Sequence, residues 1–584
     1  MESAGLSLPA VRPAAGRAAR AFVVVAPAVG VVALAAVLRF AHLERVPDNP
    51  FYDAAVRSMS LSWHNFFFGA FDPSARLAID KPPLDLWLQV ASVKLLGFNS
   101  FALKLPEALG GTIAVALLYD LVRRPFGRAA GFLAALALAV LPAAVLTGRS
   151  DTMDSVMSAL MVAALWLALV GAQRHRAGLL YLAAVAVGLA FNVKLFEALL
   201  VAPPLVLLWA IAGPRGLARR VEQLLVAGVV MIVVSLSWAT AVSLVPSQHR
   251  PYPIGSTDGT VWNAMFVWDG LDRFNGKAGS AATAVHHHHR ISRHRKELLA
   301  LRARRARADG PGTTRLLASR LDIGSELVPA LILGALGLVI ALVAWLARLR
   351  ARPWEPEEED RNRWAVAGSL GTWLVLGVVL FSVARTLHTR YLEAFSPAIA
   401  GVLGIGMATS VRHLGAPLAA VGWGRRRFDV RWIVAVAVGA ALLATPTSEA
   451  LRLVAADRSD SGQPGNQPEA EVARVSAYLR AHTARQRYEF ATPLPATAGP
   501  FIVRDARPVL VLLRLDHRPL VSTATLKRLV RHGAVRYALL GRPCSHRHGR
   551  SFSRIDTTRW ICTRGKDVGR RAGVRRGVLF HLRP

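Results

Sequence analysis

Residues 49–89 read NPFYDAAVRSMSLSWHNFFFGAFDPSARLAIDKPPLDLWLQ. The stretch is dense in aromatic rings, with Phe51, Tyr52, Trp63, Phe66, Phe67 and Phe68, and it carries Asp53, Asp80 and Lys81. It is too polar and too interrupted by Gly and Pro to cross a bilayer, yet its rings suit the boundary between water and hydrocarbon. Apolar runs flank it at 21–41 and 106–122, each of spanning length. Asp53 follows the first run closely and so belongs near a membrane surface. At Asp80–Lys81–Pro82–Pro83 a carboxylate stands beside an ammonium, and two prolines stiffen the backbone after them. An interfacial belt accounts for the aromatics. It does not account for the acid–Lys–Pro–Pro run.

Working outward, further apolar runs lie at 129–147, 153–172, 178–193, 195–212, 222–245, 326–347, 364–384, 392–411 and 431–447. With the first two they predict a polytopic α-helical membrane protein of about eleven transmembrane helices. The composition, 53% hydrophobic and 18% charged, excludes an ordinary soluble domain. A net charge of +34 would point to nucleic acid in a soluble chain, but here the arginines sit between apolar runs, where they set topology. No nucleic-acid partner is expected. Arg12, Arg17 and Arg20 precede the first run and place the N-terminus in the cytoplasm, and no cleavable signal peptide is evident. Arg123/Arg124/Arg128, Arg174/Arg176, Arg215/Arg219/Arg220, Arg348/Arg350/Arg352 and Arg425/Arg426/Arg427 then fall on the cytoplasmic side. Eleven crossings put the C-terminus outside.

The other loops collect Asp, Lys, His, Trp and Asn on the non-cytoplasmic face. TGRSDTMDSVM (147–157) holds Arg149, Asp151 and Asp154, and the two acids, three apart, would share a helical face. FNVKLFEA (191–198) holds Asn192, Lys194 and Glu197; the lysine either snorkels or binds phosphate. Residues 246–276 hold His249, Arg250 and Tyr252, a donor cluster for phosphate or sugar, in a glycine-rich and lid-like loop. RTLHTRYLEAFSPAIA (385–400) opens a span with His388, Arg390 and Tyr391, which either anchor it or meet a ligand. The basic stretch 286–308 departs from the positive-inside pattern, which long loops are free to do. Its run His286–His289 lacks partner acids and is not read as a metal site. Cys544 and Cys562 are too few for a disulfide framework, and in an oxidising compartment they would pair with each other.

FYDAAVRSM followed by DKPP, with SWHNFFFGAFDP between, resembles the first external loop of glycosyltransferase family 39, of the GT-C fold class. That group includes the protein O-mannosyltransferases and the lipid A aminoarabinose transferases. The resemblance runs through nearly the whole membrane part. It implies a GT-C-like membrane glycosyltransferase that takes sugar from a polyprenyl-phosphate-linked donor in the membrane. The acceptor would be a lipid, a cell-wall glycan or a protein of the cell envelope, on the outer face of the bacterial cytoplasmic membrane. The catalytic base would be Asp53, with Asp48 and Asp80 as alternatives. Asp80 would be a candidate metal ligand, and a divalent metal ion is the single cofactor implied. Asp154 matches an acid that lines the active cavity. Lys81, Arg149, Lys194, Arg250 and Arg390 would meet donor phosphate, and Tyr52, His249, Tyr252, His388 and Tyr391 would contact substrate.

Phosphate is a good leaving group, so such a reaction needs a base for the acceptor hydroxyl and cations for the departing phosphate. Arg offers paired donors and Lys a point charge. A single displacement would invert the anomeric centre. A non-enzymatic transporter or flippase for a lipid-linked substrate is the alternative, and a wall-binding scaffold a third reading. Transporters place polar groups at the bilayer midplane, whereas the polar groups here gather at one face. The division expected is a cytoplasmic tail at 1–20, a GT-C-like membrane domain at 21–450, a linker at 451–468 and a small extracytoplasmic α/β domain at 469–584. That last domain holds none of the motifs and is expected to be a separable accessory in acceptor binding.

Overall fold

The computed structural model describes residues 14–272, 357–384, 388–414, 430–458, 467–541 and 555–583, with isolated positions at 312, 315–317, 328, 332, 422–423, 426–427 and 544. Apart from residues 328 and 332, the expected span at 326–347 lies outside the described residues, as do the basic stretch with His286–His289 and the tail before residue 14.

The membrane part is a helical bundle. Helix α1 (Ala14–Phe40) leads to α2 (Pro50–Met59), α3 (Trp63–Phe68), strand β1 (Leu77–Ala78) and α4 (Leu84–Leu96). Then come α5 (Ser100–Phe126), α6 (Arg128–Val140), α7 (Pro142–Gly148), α8 (Asp154–Gln173), α9 (Ala177–Lys194), α10 (Ala202–Ala212) and α11 (Leu217–Ser243). Strand β2 (Tyr252–Pro253) precedes α12 (Glu358–Val383), α13 (Ser396–Leu414), the short pair β3 (Gly422–Trp423) and β4 (Arg426–Arg427), and α14 (Val430–Ala455). Among the described residues seven stretches are long and apolar enough to span, or eight if the bent pair α6–α7 counts as one more.

Two of these stretches break, each at an identifiable place. Leu141 is extended and Pro142 has no N–H to continue α6, so the axis turns by 62° into α7. The 36 residues from Ala177 to Ala212 form one apolar stretch, but Leu195 takes φ 54° and ψ −128° and the chain reverses. Lys194 meets Asp154 at the start of α8, while the Trp209 ring lies against Gly171 near the end of α8. Twenty helical residues separate those two ends, about 30 Å, so α9 and α10 are separate crossings. Small residues bring helices close: a Cβ on Gly404 of α13 would run into the backbone of Ala134 on α6. On α11, Leu225, Val229, Ile232 and Val233 are exposed, the outward apolar surface that a lipid-facing helix needs.

The polar motifs gather at one end of the bundle, with α2, α3 and α4 laid across it. Trp87 Nε1 donates to the Phe66 carbonyl at 2.7 Å and Trp238 Nε1 to the Phe67 carbonyl at 2.9 Å, pinning α3 to α4 and α11. At the opposite end arginines close helix termini: Arg361 donates to Ile211 and Gly213, Arg363 to Pro125 and Arg220 to Pro214.

Residues from Glu469 on form α15 (Glu469–His482), β5 (Ala491–Thr492), α16 (Pro495–Asp505), β6 (Leu510–Val511), α17 (Thr523–Arg531), β7 (Tyr537–Leu539), α18 (Asp556–Arg564), β8 (Lys566–Asp567) and β9 (Leu579–His581). The five strands make one sheet in the order β6-β5-β7-β9-β8, parallel through β6, β5 and β7 and antiparallel at β9. Cys544 and Cys562 are disulfide-bonded with Cα atoms 5.9 Å apart. This unit is not held off by its linker. Ala54, Phe71, Leu77 and Ile254 of the membrane-part loops share a buried cluster with Val475, Phe490, Phe501 and Val511. Helix α16 crosses α2 so closely that a Cβ on Gly499 would lie 2.6 Å from the Pro50 carbonyl oxygen. The motif-bearing loops and the C-terminal sheet therefore bury one another, where a separable accessory was expected.

Candidate active site

After α1 the chain turns through His42, in the left-handed region, and reaches Asn49. The Asn49 side chain caps α2 by accepting from the Phe51 amide at 3.2 Å, with Pro50 at the first helical position. That start places Asp53 on the first turn of α2, 1% exposed. Asp48, Asp53 and Asp151 offer carboxylate oxygens that all lie within 4.8 Å of one another. Asp151 arrives from the loop after α7 and accepts from the Asn49 amide at 2.7 Å. Asp48 is half-exposed and accepts from Ser100 and Lys104. One oxygen each of Asp53 and Asp151 is buried and receives no hydrogen bond. Burial, then the Asp151 and Asp48 carboxylates, hold Asp53 well above the usual carboxylate range, and burial also raises Asp151.

The acid–Lys–Pro–Pro loop lies across α2. Strand β1 pairs in parallel with β2, joining this loop to the His249–Arg250–Pro251–Tyr252 segment. Lys81 Nζ lies 3.0 Å from Asp80, 3.5 Å from the Tyr52 hydroxyl and 3.8 Å from Asp269. Asp80, expected as a candidate metal ligand, is thus an ion-pair partner of Lys81. The acids gathered around a common point are Asp48, Asp53 and Asp151. Arg250 Nε and Nη1 are buried and have no hydrogen-bond partner among the described residues. His249 is exposed, and its carbonyl meets the His64 ring at 3.1 Å. Tyr252 faces the C-terminal unit: Arg514 donates to its hydroxyl at 2.8 Å and to the Thr257 carbonyl at 2.7 Å. The glycine-rich loop expected to be lid-like is held, over its described part, by β2 and by the Ser256, Asp258, Thr260 and Asn263 side chains.

A second cluster forms beside it. Lys194 pairs with Asp154 and, at 2.9 Å, with Glu197, and its ammonium stands 4.6 Å from the centre of the Tyr391 ring. Arg390 lies over the same ring at 5.7 Å and His388 meets it edge-on at 5.1 Å. Asp151 and Asp154 do not share a helical face, because Met153 takes φ 69° and α8 begins only at Asp154. One acid goes to each cluster. Arg149, expected at a phosphate, is fully buried and donates to the Leu38 and Ala41 carbonyls at the end of α1.

Several site groups escaped sequence reading. Glu107 on α5 accepts from the Ser155 and Val156 amides, holding the start of α8. Asp85, pushed up to about 6 by burial, accepts from Gln89 at 2.7 Å. Lys104, Asp269 and Glu393 are also buried. A charge inside an apolar run, as in KLPEALGG or RYLEAF, was the available signal.

Residues 80–238 match the family model described as dolichyl-phosphate-mannose-protein mannosyltransferase. Residues 475–564 match one described as "Putative mannosyltransferase YkcB-like, C-terminal". The chain is 26% identical to the "Putative mannosyltransferase YycA" of Bacillus subtilis, covering 89% of this chain and 90% of that protein. It is 33% identical to the "Putative mannosyltransferase YkcB" of the same organism, over 39% of this chain and 32% of that one. Its fold is similar to that of ArnT from Cupriavidus metallidurans bound to undecaprenyl phosphate, with a TM-score of 0.54 at 18% identity, covering 95% of this chain and 97% of that one. These matches agree with the resemblance read from the first loop, and the chain has a helical, GT-C-like membrane fold.

Proposed function

We propose that the protein transfers a sugar from a polyprenyl-phosphate-sugar donor to a hydroxyl of an envelope glycan, lipid or protein, on the outer face of the cytoplasmic membrane, with inversion. The observation that carries this reading is the meeting of Asp48, Asp53 and Asp151 at the helix ends, beside the loop that holds Lys81. Asp53, buried on the first turn of α2, takes the acceptor hydroxyl proton. The acceptor oxygen then bonds to the anomeric carbon, and the polyprenyl phosphate leaves with the electrons of the broken C–O bond. Lys81 and Arg250 receive the phosphate charge, and Arg390 adds to the field from the second cluster.

The acid triad fits a divalent cation, since three carboxylates converge and two buried oxygens receive no donor. Asp48, Asp53 and Asp151 would hold it. When bound, such an ion supplies positive charge to a donor phosphate. Hexosyl transfer is the reading favoured by the relatives' names, and the disulfide suits an oxidising outer compartment.

The test uses purified protein in nanodiscs with a radiolabelled polyprenyl-phosphate hexose. Asp53→Asn should lower transfer by at least about a hundredfold while donor binding persists. Wild-type turnover in a folded Asp53→Asn protein would overturn the assignment. Intact-lipid mass spectrometry of a deletion strain against its parent should show the donor accumulating and name the sugar.

A further inference from the structure

Two buried arginines tie the same pair of helix ends in opposite directions. Arg39, in the last turn of α1, is fully buried. It donates through Nη2 to the Leu138 carbonyl at 3.3 Å and through Nη1 to the Ala139 carbonyl at 3.3 Å. These are carbonyls at the end of α6, and Pro142, which follows the break, has no N–H to offer Leu138. Arg149 stands just past α7 and returns the contact, donating to Leu38 at 3.2 Å and Ala41 at 2.5 Å. Those carbonyls close α1, where a cation is also favoured by the helix dipole. Asp457, after α14, lies 3.8 Å from Arg149 Nη2.

The helices make room for this. A Cβ on Gly111 of α5 would stand 2.5 Å from Arg39 Nε, and one on Gly148 of α7 would stand 3.0 Å from Arg39 Cγ, Cδ and Nε. Each arginine lies just upstream of part of the acid triad: α1 leads to Asp48 and Asp53, and Arg149 leads through Ser150 to Asp151. The Asn49–Asp151 hydrogen bond closes the same ring from the other side.

We infer that Arg39 and Arg149 form a reciprocal clasp between the end of α1 and the α6–α7 break, and that this clasp sets the separation of Asp48, Asp53 and Asp151. Both are positioning residues, and neither acts on substrate directly. The inference rests on the triad being the reactive centre, as proposed above. Removing either arginine takes a donor from two or more buried carbonyls, and the ends it joins are then free to drift. Small drift in such a centre is felt in turnover more than in substrate binding.

The test uses the full chain in nanodiscs with Arg39→Lys, Arg149→Lys, Arg39→Gln, Arg149→Gln and the double Gln variant. Transfer is assayed with the same labelled donor, and Mn²⁺ binding to the purified protein is read by electron paramagnetic resonance. The Gln variants should lose about tenfold to a hundredfold in kcat, the span of about 1.4 to 2.8 kcal/mol, with donor KM within about twofold. They should also bind Mn²⁺ more weakly. The Lys variants, which keep a donor and a charge, should be closer to wild type and keep the fold if the Gln proteins do not. The double variant should be no worse than the poorer single one, as two halves of one clasp require. Folded variants with wild-type kcat and wild-type Mn²⁺ affinity would overturn the clasp. So would losses confined to KM. If Asp53→Asn and Asp151→Asn keep full turnover, the triad reading fails instead, whatever the arginine variants do.

Discussion

Among the cations near the site, the surroundings of each decide what its removal does. Lys81 neutralises Asp80 and Asp269 from a position 7% exposed, so Lys81→Ala should cost both phosphate binding and stability. Arg250 carries buried donors with no partner among the described residues. Arg250→Ala should therefore raise the donor KM by about tenfold to a hundredfold, the worth of one charge-assisted contact, and leave Tm unchanged. Calorimetry beside steady-state kinetics separates the two cases, and a lower Tm for Arg250→Ala would show that the guanidinium is structural. In the C-terminal unit, burial and the facing Asp505 carboxylate push Glu489 up to about 8. A raised acid binds its proton more tightly in the folded state. Its stabilisation is complete below the unfolded value near 4.5 and fades as pH rises toward 8. The full chain should unfold several degrees higher at pH 5 than at pH 8.5, and Glu489→Gln should flatten that slope. Asp53 and the acid–Lys–Pro–Pro run were legible because they form local patterns beside a span. The pairing of Asp53 with Asp151 was not, because it joins positions brought together only by the packing of α1 on α7. The spacing of Asp151 and Asp154 misled for a simpler reason: a single left-handed residue, Met153, cancels the helical geometry that spacing assumes.

At the level of elements, hydropathy located the described spanning helices but not their ends. The run at 129–147 reads as one span, yet Pro142 divides it into α6 and α7 and so delivers Arg149 and Asp151. The reversal at Leu195 agrees with the two runs expected at 178–193 and 195–212, although no Gly or Pro marks it. Helices α3 and α4 expose Trp63, Phe67, Leu88, Leu95 and Leu96, apolar outer faces of the kind an interfacial helix presents to lipid. Helix α16 meets α2 through a glycine, which makes that crossing open to a direct test. Gly499→Val needs the Pro50 carbonyl to move, and Pro50 begins the helix that bears Asp53. Transfer by Gly499→Val should fall by at least about tenfold, in keeping with misplacement of a reacting group. Limited proteolysis should then release the C-terminal unit. An active variant with an intact protease profile would mean that the α2–α16 contact is incidental.

For the molecule as a whole, the described helix ends bear on topology. Helix α1 ends at the site face, where Arg149 meets its last carbonyls. Helix α14 ends at the same face, where Asp457 approaches Arg149 and His42. If α14 is a crossing, both ends on one face correspond to an odd number of crossings. With the expected cytoplasmic N-terminus, the C-terminal unit is expected outside, as with eleven spans. A C-terminal alkaline phosphatase fusion should be active and a C-terminal green fluorescent protein fusion dark; the reverse would place the site in the cytoplasm. Truncation after Ala456 should abolish transfer and donor hydrolysis alike, since it uncovers Ala54, Phe71, Leu77 and Ile254. A truncated protein that still hydrolyses donor would restore the view of the C-terminal unit as an accessory. The buried cluster those four residues share with the sheet also bears on biogenesis. Translation delivers the Asp53 loop early and Phe490, Phe501 and Val511 only after every described crossing has been made. Until then the face of that loop that meets the sheet lies uncovered, so a chain released before those residues are made holds Asp53 in an unfinished setting.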